Sequence, residues 1–281
     1  MEGESYSVNV GGRLIDLSEA VVMQIVNITP DSFFTSIDPS DESEREIISL
    51  VDGALTNGAQ IVDVGACSTR PDSVPASADE EWTRLQRALR CLRGRFPDCP
   101  LSVDTFRPEI AERAIEEFGS LMVNDVSGGS DEMYAVVARH HVPYVLTFNE
   151  PRRTDCTVTR QALLFFAERL NRLHAMGVND VVCDPGFGFC KTLEENYELL
   201  AHLSDFWPLH HPLLVGVSHK SMIYRPLGIE ASEALNGTTA LHAVALQQGA
   251  RILRVHETRE AQECIRLLSL TRNSDYKKTY K

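Results

Sequence analysis

Asn27, Asp63, Asp104, Asn124 with Asp125, Thr147, Asp184, Ser218 with Lys220, and Arg254 with His256 all sit where a short apolar run gives way to a polar segment. The residue types divide this set in two. The first six runs end in carboxylates, amides and a hydroxyl, hydrogen-bonding groups suited to the edge of a flat polar ring. The last two bring a lysine, an arginine and a histidine, which together make a cationic corner for an anion. Taken singly, each is also what a helix cap or a solvated loop presents. Convergence gives the pattern its meaning: acceptors come from one group of segments and cations from another.

The elements that must position these groups are legible in the apolar runs. β-Branched segments lie at 21–26, 60–64, 101–103, 121–126, 143–146, 181–183, 213–217 and 251–255. Nearly all lack polar/apolar alternation, as parallel strands buried on both faces do. Helical patterns fill the intervals at 41–55, 78–96, 108–118, 131–140, 157–176, 193–203 and 231–248, with a last one at 258–268. Pro108 after a strand, Asp131 before Met133, and Ser77 or Asp79 ahead of the second helix are start signals. The polar strand ends recur about every 32 residues, the length of one βα unit. Eight such units predict an α/β chain of the (β/α)8 TIM-barrel class, with its functional residues at the carboxyl ends of the strands.

A doubly wound sheet has the same alternation, but no G-x-G-x-x-G follows the first strand and no Walker A sequence occurs. The segment from Gly216 to Ser221 contains Lys220-Ser221 but lacks the first loop glycine of a P-loop. Ahead of the barrel, 6–10 and 13–17 flank Gly11-Gly12 and predict a short β-hairpin.

With 281 residues, 43% hydrophobic and 24% charged, the composition is that of a soluble globular enzyme, and no linker-like shift divides it. The expectation is one domain over 1–281, with a hairpin at about 5–18, a barrel at about 20–270 and a fraying tail at 274–281. A formal net charge of −13 argues against a nucleic-acid partner. The seven cysteines are scattered and show no ligand spacing, which argues against a disulfide framework and a structural zinc. No run of about 18 apolar residues and no apolar leader occurs, so no membrane association and a cytoplasmic location are expected.

Seven segments, in order, resemble the motifs of dihydropteroate synthases. They are Asn27-Ile-Thr-Pro-Asp31-Ser32-Phe33, Asp63-Val-Gly65 with Ser68-Thr69-Arg70-Pro71, Ser102-Val-Asp104-Thr105, and Asn124-Asp125-Val-Ser-Gly128-Gly129. They continue with Asp184-Pro-Gly-Phe-Gly188-Phe189 followed by Lys191-Thr192, then Val217-Ser218-His219-Lys220-Ser221, and Arg254-Val-His256. The resemblance spans about 20 to 268.

That family is a TIM barrel joining 7,8-dihydropterin-6-ylmethyl diphosphate to p-aminobenzoate in folate synthesis, with Mg2+ and with sulfonamides as competitors. The resemblance implies that Asp104, Asn124 and Asp184 hold the pterin edge, with Lys220 on its carbonyl side and Phe189 and Gly216 beside it. It implies that Asn27, Arg70, Arg254 and His256 take the diphosphate, and that Asn27 helps hold Mg2+. Backbone N–H groups at a helix start near Thr258 would add to that corner. Thr69, Pro71 and Ser221 would form the aminobenzoate pocket. Asp31, Ser32, Phe33, Thr69 and Arg70 would belong to two closing loops that act in catalysis together with Lys220, Arg254 and His256. A homodimer is implied as well. No nucleophile is required by such chemistry: diphosphate leaves, and the neutral arylamine attacks the pterin methyl cation.

The chain departs from the family pattern at four places. Phe34-Thr35-Ser36-Ile37 replaces a frequent Ser-Asp-Gly-Gly, which removes a carboxylate and two hinge glycines from the first loop. His219 stands where an arginine is usual, Thr147-Phe148-Asn149 where Met-His-Met is common, and Ala66-Cys67 where Gly-Glu is usual. Two other readings keep the same pterin edge. A pterin-dependent methyltransferase has no diphosphate to hold, and so no need of the Arg254/His256 pair. A pterin-binding paralogue without turnover would show pterin affinity and no diphosphate release.

Overall fold

The computed structural model describes residues 6–29, 41–68 and 75–273. Eight parallel strands close into a barrel, in the ring order β10-β3-β4-β5-β6-β7-β8-β9. They are β3 (Val21–Asn27), β4 (Ile61–Gly65), β5 (Leu101–Asp104), β6 (Met122–Asp125), β7 (Tyr144–Thr147), β8 (Val181–Asp184), β9 (Leu213–Val215) and β10 (Ala250–Val255). The helices are α1 (Asp41–Thr56), α2 (Ala78–Arg95), α3 (Pro108–Phe118), α4 (Asp131–His140), α5 (Val158–Ala175), α6 (Leu193–Ala201), α7 (Ser221–Leu227), α8 (Leu235–Gln247) and α9 (Thr258–Asn273). Strands β3, β4, β6, β7, β8 and β9 are buried along almost their whole length, which is why their sequences do not alternate.

Local chemistry sets the helix starts. Ser77 and Glu80 form a reciprocal capping box on α2, and Pro108 occupies the first turn of α3, where its missing N–H costs nothing. The cap of α4 is Ser130, whose hydroxyl accepts the Met133 N–H, rather than Asp131, which lies in the first turn. The expected helix over 231–248 is divided: a 3-10 turn at Ala231–Glu233 precedes α8. The expected strand over 213–217 stops at Val215, and the short α7 was not anticipated. Lys220 is therefore the N-cap residue of a seven-residue helix.

The hairpin pairs β1 (Ser7–Val10) with β2 (Arg13–Asp16) in antiparallel register. Its Val8, Val10, Ile15 and Leu17 pack with Val21, Met23, Ile61, Met122, Val145, Val182, Leu214 and Ile252 in one buried cluster. These partners lie in the barrel strands, so the hairpin stoppers the amino-terminal end of the barrel. Two further buried clusters fill the space between the strands and the surrounding helices. Among the described residues, no helix is long and apolar enough to cross a membrane.

Candidate active site

Parallel pairing brings the acceptor residues into register. Asn27 pairs with Gly65, Gly65 with Asp104, and Asp104 with Asn124 across β3 to β6. Gly65 keeps this level open: a Cβ there would lie 3.3 Å from the Cβ of Asp104. Asp63 lies two residues earlier on β4, on the same face, and is fully buried.

Arg254 reaches across the barrel from β10. Its Nε donates to Asp63 Oδ2 at 2.7 Å and its Nη2 to Asp104 Oδ2 at 2.6 Å. Asn124 Nδ2 donates to the same Asp63 oxygen at 2.9 Å. Burial works against the Arg254 charge, and the Asp63 and Asp104 carboxylates more than offset it, so its pKa stands above the usual arginine value. Asp104 is pushed up to about 7 by burial; Arg254 pulls against that shift while the nearby Asp63 carboxylate adds to it. Among the described residues, Asp63 Oδ1 and Asn124 Oδ1 are buried without a hydrogen-bond partner, as are the hydroxyls of Ser102 and Thr147. The Asp63 and Asn124 oxygens are acceptors and the two hydroxyls can donate or accept, so each can take a partner from a ligand or from water.

The opposite wall is built on β8 and β9. Asp184 is buried and its Oδ1 accepts the Gly186 N–H at 2.8 Å; burial raises its pKa, partly offset by Lys220. Lys220 Nζ donates to the Phe187 carbonyl at 2.5 Å and lies 5.0 Å from the centre of the Phe189 ring. Burial brings the Lys220 ammonium down to about 8, with Asp184 opposing the shift. Gly216 separates the two cations: a Cβ there would sit 3.7 Å from Arg254 Cβ and 3.8 Å from Lys220 Nζ. Gly186 is required by backbone and space together, with φ +71 and a notional Cβ only 2.2 Å from the Phe148 carbonyl oxygen.

The third part lies on the loops after β9 and β10. The backbone N–H of His256 donates to Ser218 Oγ at 3.4 Å, and the His256 carbonyl accepts from Gln24 Nε2 at 3.2 Å. Gln24 Oε1 in turn accepts the Thr258 hydroxyl at 2.6 Å, so a buried glutamine of β3 anchors both ends of the turn into α9. His256 is exposed at the mouth, and Asn27, at the end of β3, is half-buried. Ser221 is half-buried in the first turn of α7.

A family model described as pterin binding enzyme matches residues 23–256. The chain is 35% identical to the dihydropteroate synthase of Escherichia coli (strain K12), over 96% of this chain and 98% of that one. It is also 35% identical to the Streptococcus pyogenes dihydropteroate synthase, over 92% and 98%. The chain belongs to the dihydropteroate synthase family. Solved members share its fold: that of Xanthomonas albilineans with 4-aminobenzoic acid matches at TM-score 0.88 and 32% identity, over 96% of this chain and 99% of that one. A Yersinia pestis dihydropteroate synthase in a sulfonamide drug complex matches at TM-score 0.86 and 32% identity, over 96% and 100%. As a family member the chain is a transferase of folate biosynthesis.

The structure gathers Asp104, Asn124, Asp184, Phe189, Gly216, Lys220 and Arg254 at one end of the barrel, with Asn27, Ser221 and His256 on the surrounding strand end and loops. Asp31, Ser32, Phe33, Thr69, Arg70 and Pro71, expected in the dihydropteroate synthase loops, lie outside the described residues. Arg254 was expected in the anion corner; its Nε and Nη2 rest on the Asp63 and Asp104 carboxylates of the acceptor side. Three residues gain importance beyond the sequence reading. Asp63 is the hub that Arg254 and Asn124 share. Lys191 donates to the carbonyls of Phe148, Gly186 and Phe189 at 2.8, 2.8 and 3.0 Å and so clamps the loop that carries Asp184. Glu257 accepts from both Ser218 and His219. Asp63 and Lys191 stood inside the quoted motifs, which was the available signal; nothing in the sequence marked Glu257.

Proposed function

We propose that the chain joins 7,8-dihydropterin-6-ylmethyl diphosphate to p-aminobenzoate, giving dihydropteroate and diphosphate. The observation that supports this reading is the buried Arg254 guanidinium held on Asp63 and Asp104, a cation set against the ring-acceptor side. Asp104, Asn124 and Asp184 accept from the amino and ring N–H groups of the pterin, and Lys220 donates to its carbonyl side. Arg254 and His256 hold the diphosphate as the C–O bond breaks, stabilising charge that develops on the leaving oxygen. The resulting methyl cation is delocalised into the pterin ring. The arylamine is neutral near pH 7, so the protein's work is to orient it and to keep water away from the cation.

Mg2+ is part of the same proposal: the amide oxygen of Asn27, at the end of β3, would be its one protein ligand, because that ion takes few protein ligands and keeps water and phosphate oxygens. When bound, it would offset charge on the departing diphosphate. The loops holding Asp31, Ser32 and Phe33 and Thr69, Arg70 and Pro71, with Ser221, are part of the same proposal as closing elements and aminobenzoate pocket. Competition by sulfonamides follows from an aminobenzoate pocket of that kind. A homodimer, implied by the family resemblance, is part of the same proposal.

The test is diphosphate release from the pterin substrate with and without Mg2+ and p-aminobenzoate, with the organic product identified by mass. Dihydropteroate formation is the expected result. Saturable pterin binding with no release would replace this reading by that of a binding paralogue.

A further inference from the structure

One knot of side chains ties the loops after β9 and β10. His219 adopts a left-handed backbone, φ 52, and its N–H donates to Thr238 Oγ1 at 3.2 Å. Its ring Nδ1 faces the Ala231 carbonyl, and its Nε2 lies 2.9 Å from Glu257 Oε1. The other Glu257 oxygen accepts the Ser218 hydroxyl at 3.4 Å, and that hydroxyl accepts the His256 N–H. The His219 ring meets the His256 ring edge-on, with centroids 6.0 Å apart.

Glu257 poses an electrostatic problem. Its carboxylate lies one residue from His256, on the corner assigned to the diphosphate, where an uncompensated negative charge opposes an anion. Both nitrogens of His219 face groups that only accept, the Ala231 carbonyl and the Glu257 carboxylate. Lys220, next to His219 in the chain, turns its ammonium away to the Phe187 carbonyl.

We infer that His219 is a positioning residue for the anion corner: bridging the Ala231 carbonyl and the Glu257 carboxylate, it holds that carboxylate back from the anion and fixes Ser218 and His256 to one another. The inference rests on the proposal that the corner takes a diphosphate.

The experiment measures binding of 6-hydroxymethyl-7,8-dihydropterin and of its diphosphate to the full chain by calorimetry, with Mg2+ and without arylamine. Wild type should prefer the diphosphate; equal affinities would defeat the functional reading itself, apart from anything His219 does. His219→Ala should lose about tenfold on the diphosphate and nothing on the bare pterin. Adding Glu257→Gln to that variant should restore most of the loss, because the uncompensated charge is gone. His219→Arg should stay within about threefold of wild type, since it is a fixed cation. Equal losses on both ligands, or no recovery in the double variant, would overturn the inference. Glu257→Gln alone gives an independent check: it should bind the diphosphate as well as wild type or better, and a tenfold loss would count against the inference.

Discussion

Asp63, Asp104 and Asn124 stand on strands whose register is fixed by parallel pairing, whereas Ser218, His219, Lys220, His256 and Glu257 stand on loops beyond the ends of β9 and β10. The first group is locked by the barrel itself. The second is held by side chains reaching from one loop to the next, through Gln24, Thr258, Ser218 and Glu257. The difference teaches where substitution is costly. A strand-end acceptor cannot shift without moving the barrel, while a loop partner can be exchanged if its replacement makes the same connection. The His219 departure falls on the loop side.

The contrast is broken most directly at Asp63. Asp63→Ala leaves Arg254 with Asp104 alone and strips Asn124 Nδ2 of its acceptor, and opening a buried pair of this kind costs about 3–5 kcal/mol. Urea unfolding measures it, and a loss under about 1 kcal/mol would mean that the barrel side is no more rigid than the loops. Gly186→Ala is next, at about 2–3 kcal/mol, from a positive φ and a clash with the Phe148 carbonyl. The same unfolding experiment reads it, and pterin affinity should fall with it because the strained loop displaces the backbone N–H at position 186 that braces Asp184.

A pH titration of pterin affinity sharpens the comparison further. Asp104, raised to about 7, must be ionised to accept, so affinity climbs as pH rises through about 7. Lys220, lowered to about 8, must be protonated to stay a cation, so affinity falls as pH rises beyond about 8. The expected profile is a bell, with slopes of up to about tenfold per pH unit on either side. Asp104→Asn should erase the acid limb and leave the alkaline one; a limb unmoved in that variant would assign it to another group. The smallest effect is expected at Thr258→Val, which removes one hydrogen bond to Gln24 and costs about 1 kcal/mol. A change several times larger would show the turn into α9 to be as firmly set as the strands.

Much of this site was legible because barrel geometry is repetitive. Unalternating apolar runs marked each strand, and the polar residue ending each run marked the rim where polar side chains converge, as Asp104, Asn124 and Asp184 illustrate. Partnership was not legible. Arg254 and Asp63 are 191 positions apart and meet only because β10 and β4 flank β3 in a closed ring. The same holds for Lys191, whose three carbonyl partners exist only once the β8 loop has folded back on Phe148. The seven-residue α7, with Pro226 inside it, is too short to show a helical period, and its absence from the sequence reading let the strand before it seem two residues longer.

The hairpin that seals the amino-terminal end has a consequence for where polar chemistry can sit. Its Val8, Val10, Ile15 and Leu17 share one buried cluster with Met23, Ile61, Met122 and Leu214 of the strands, so the barrel below Asp63 and Asp104 is filled with apolar side chains, and the charged groups described above gather at the other end.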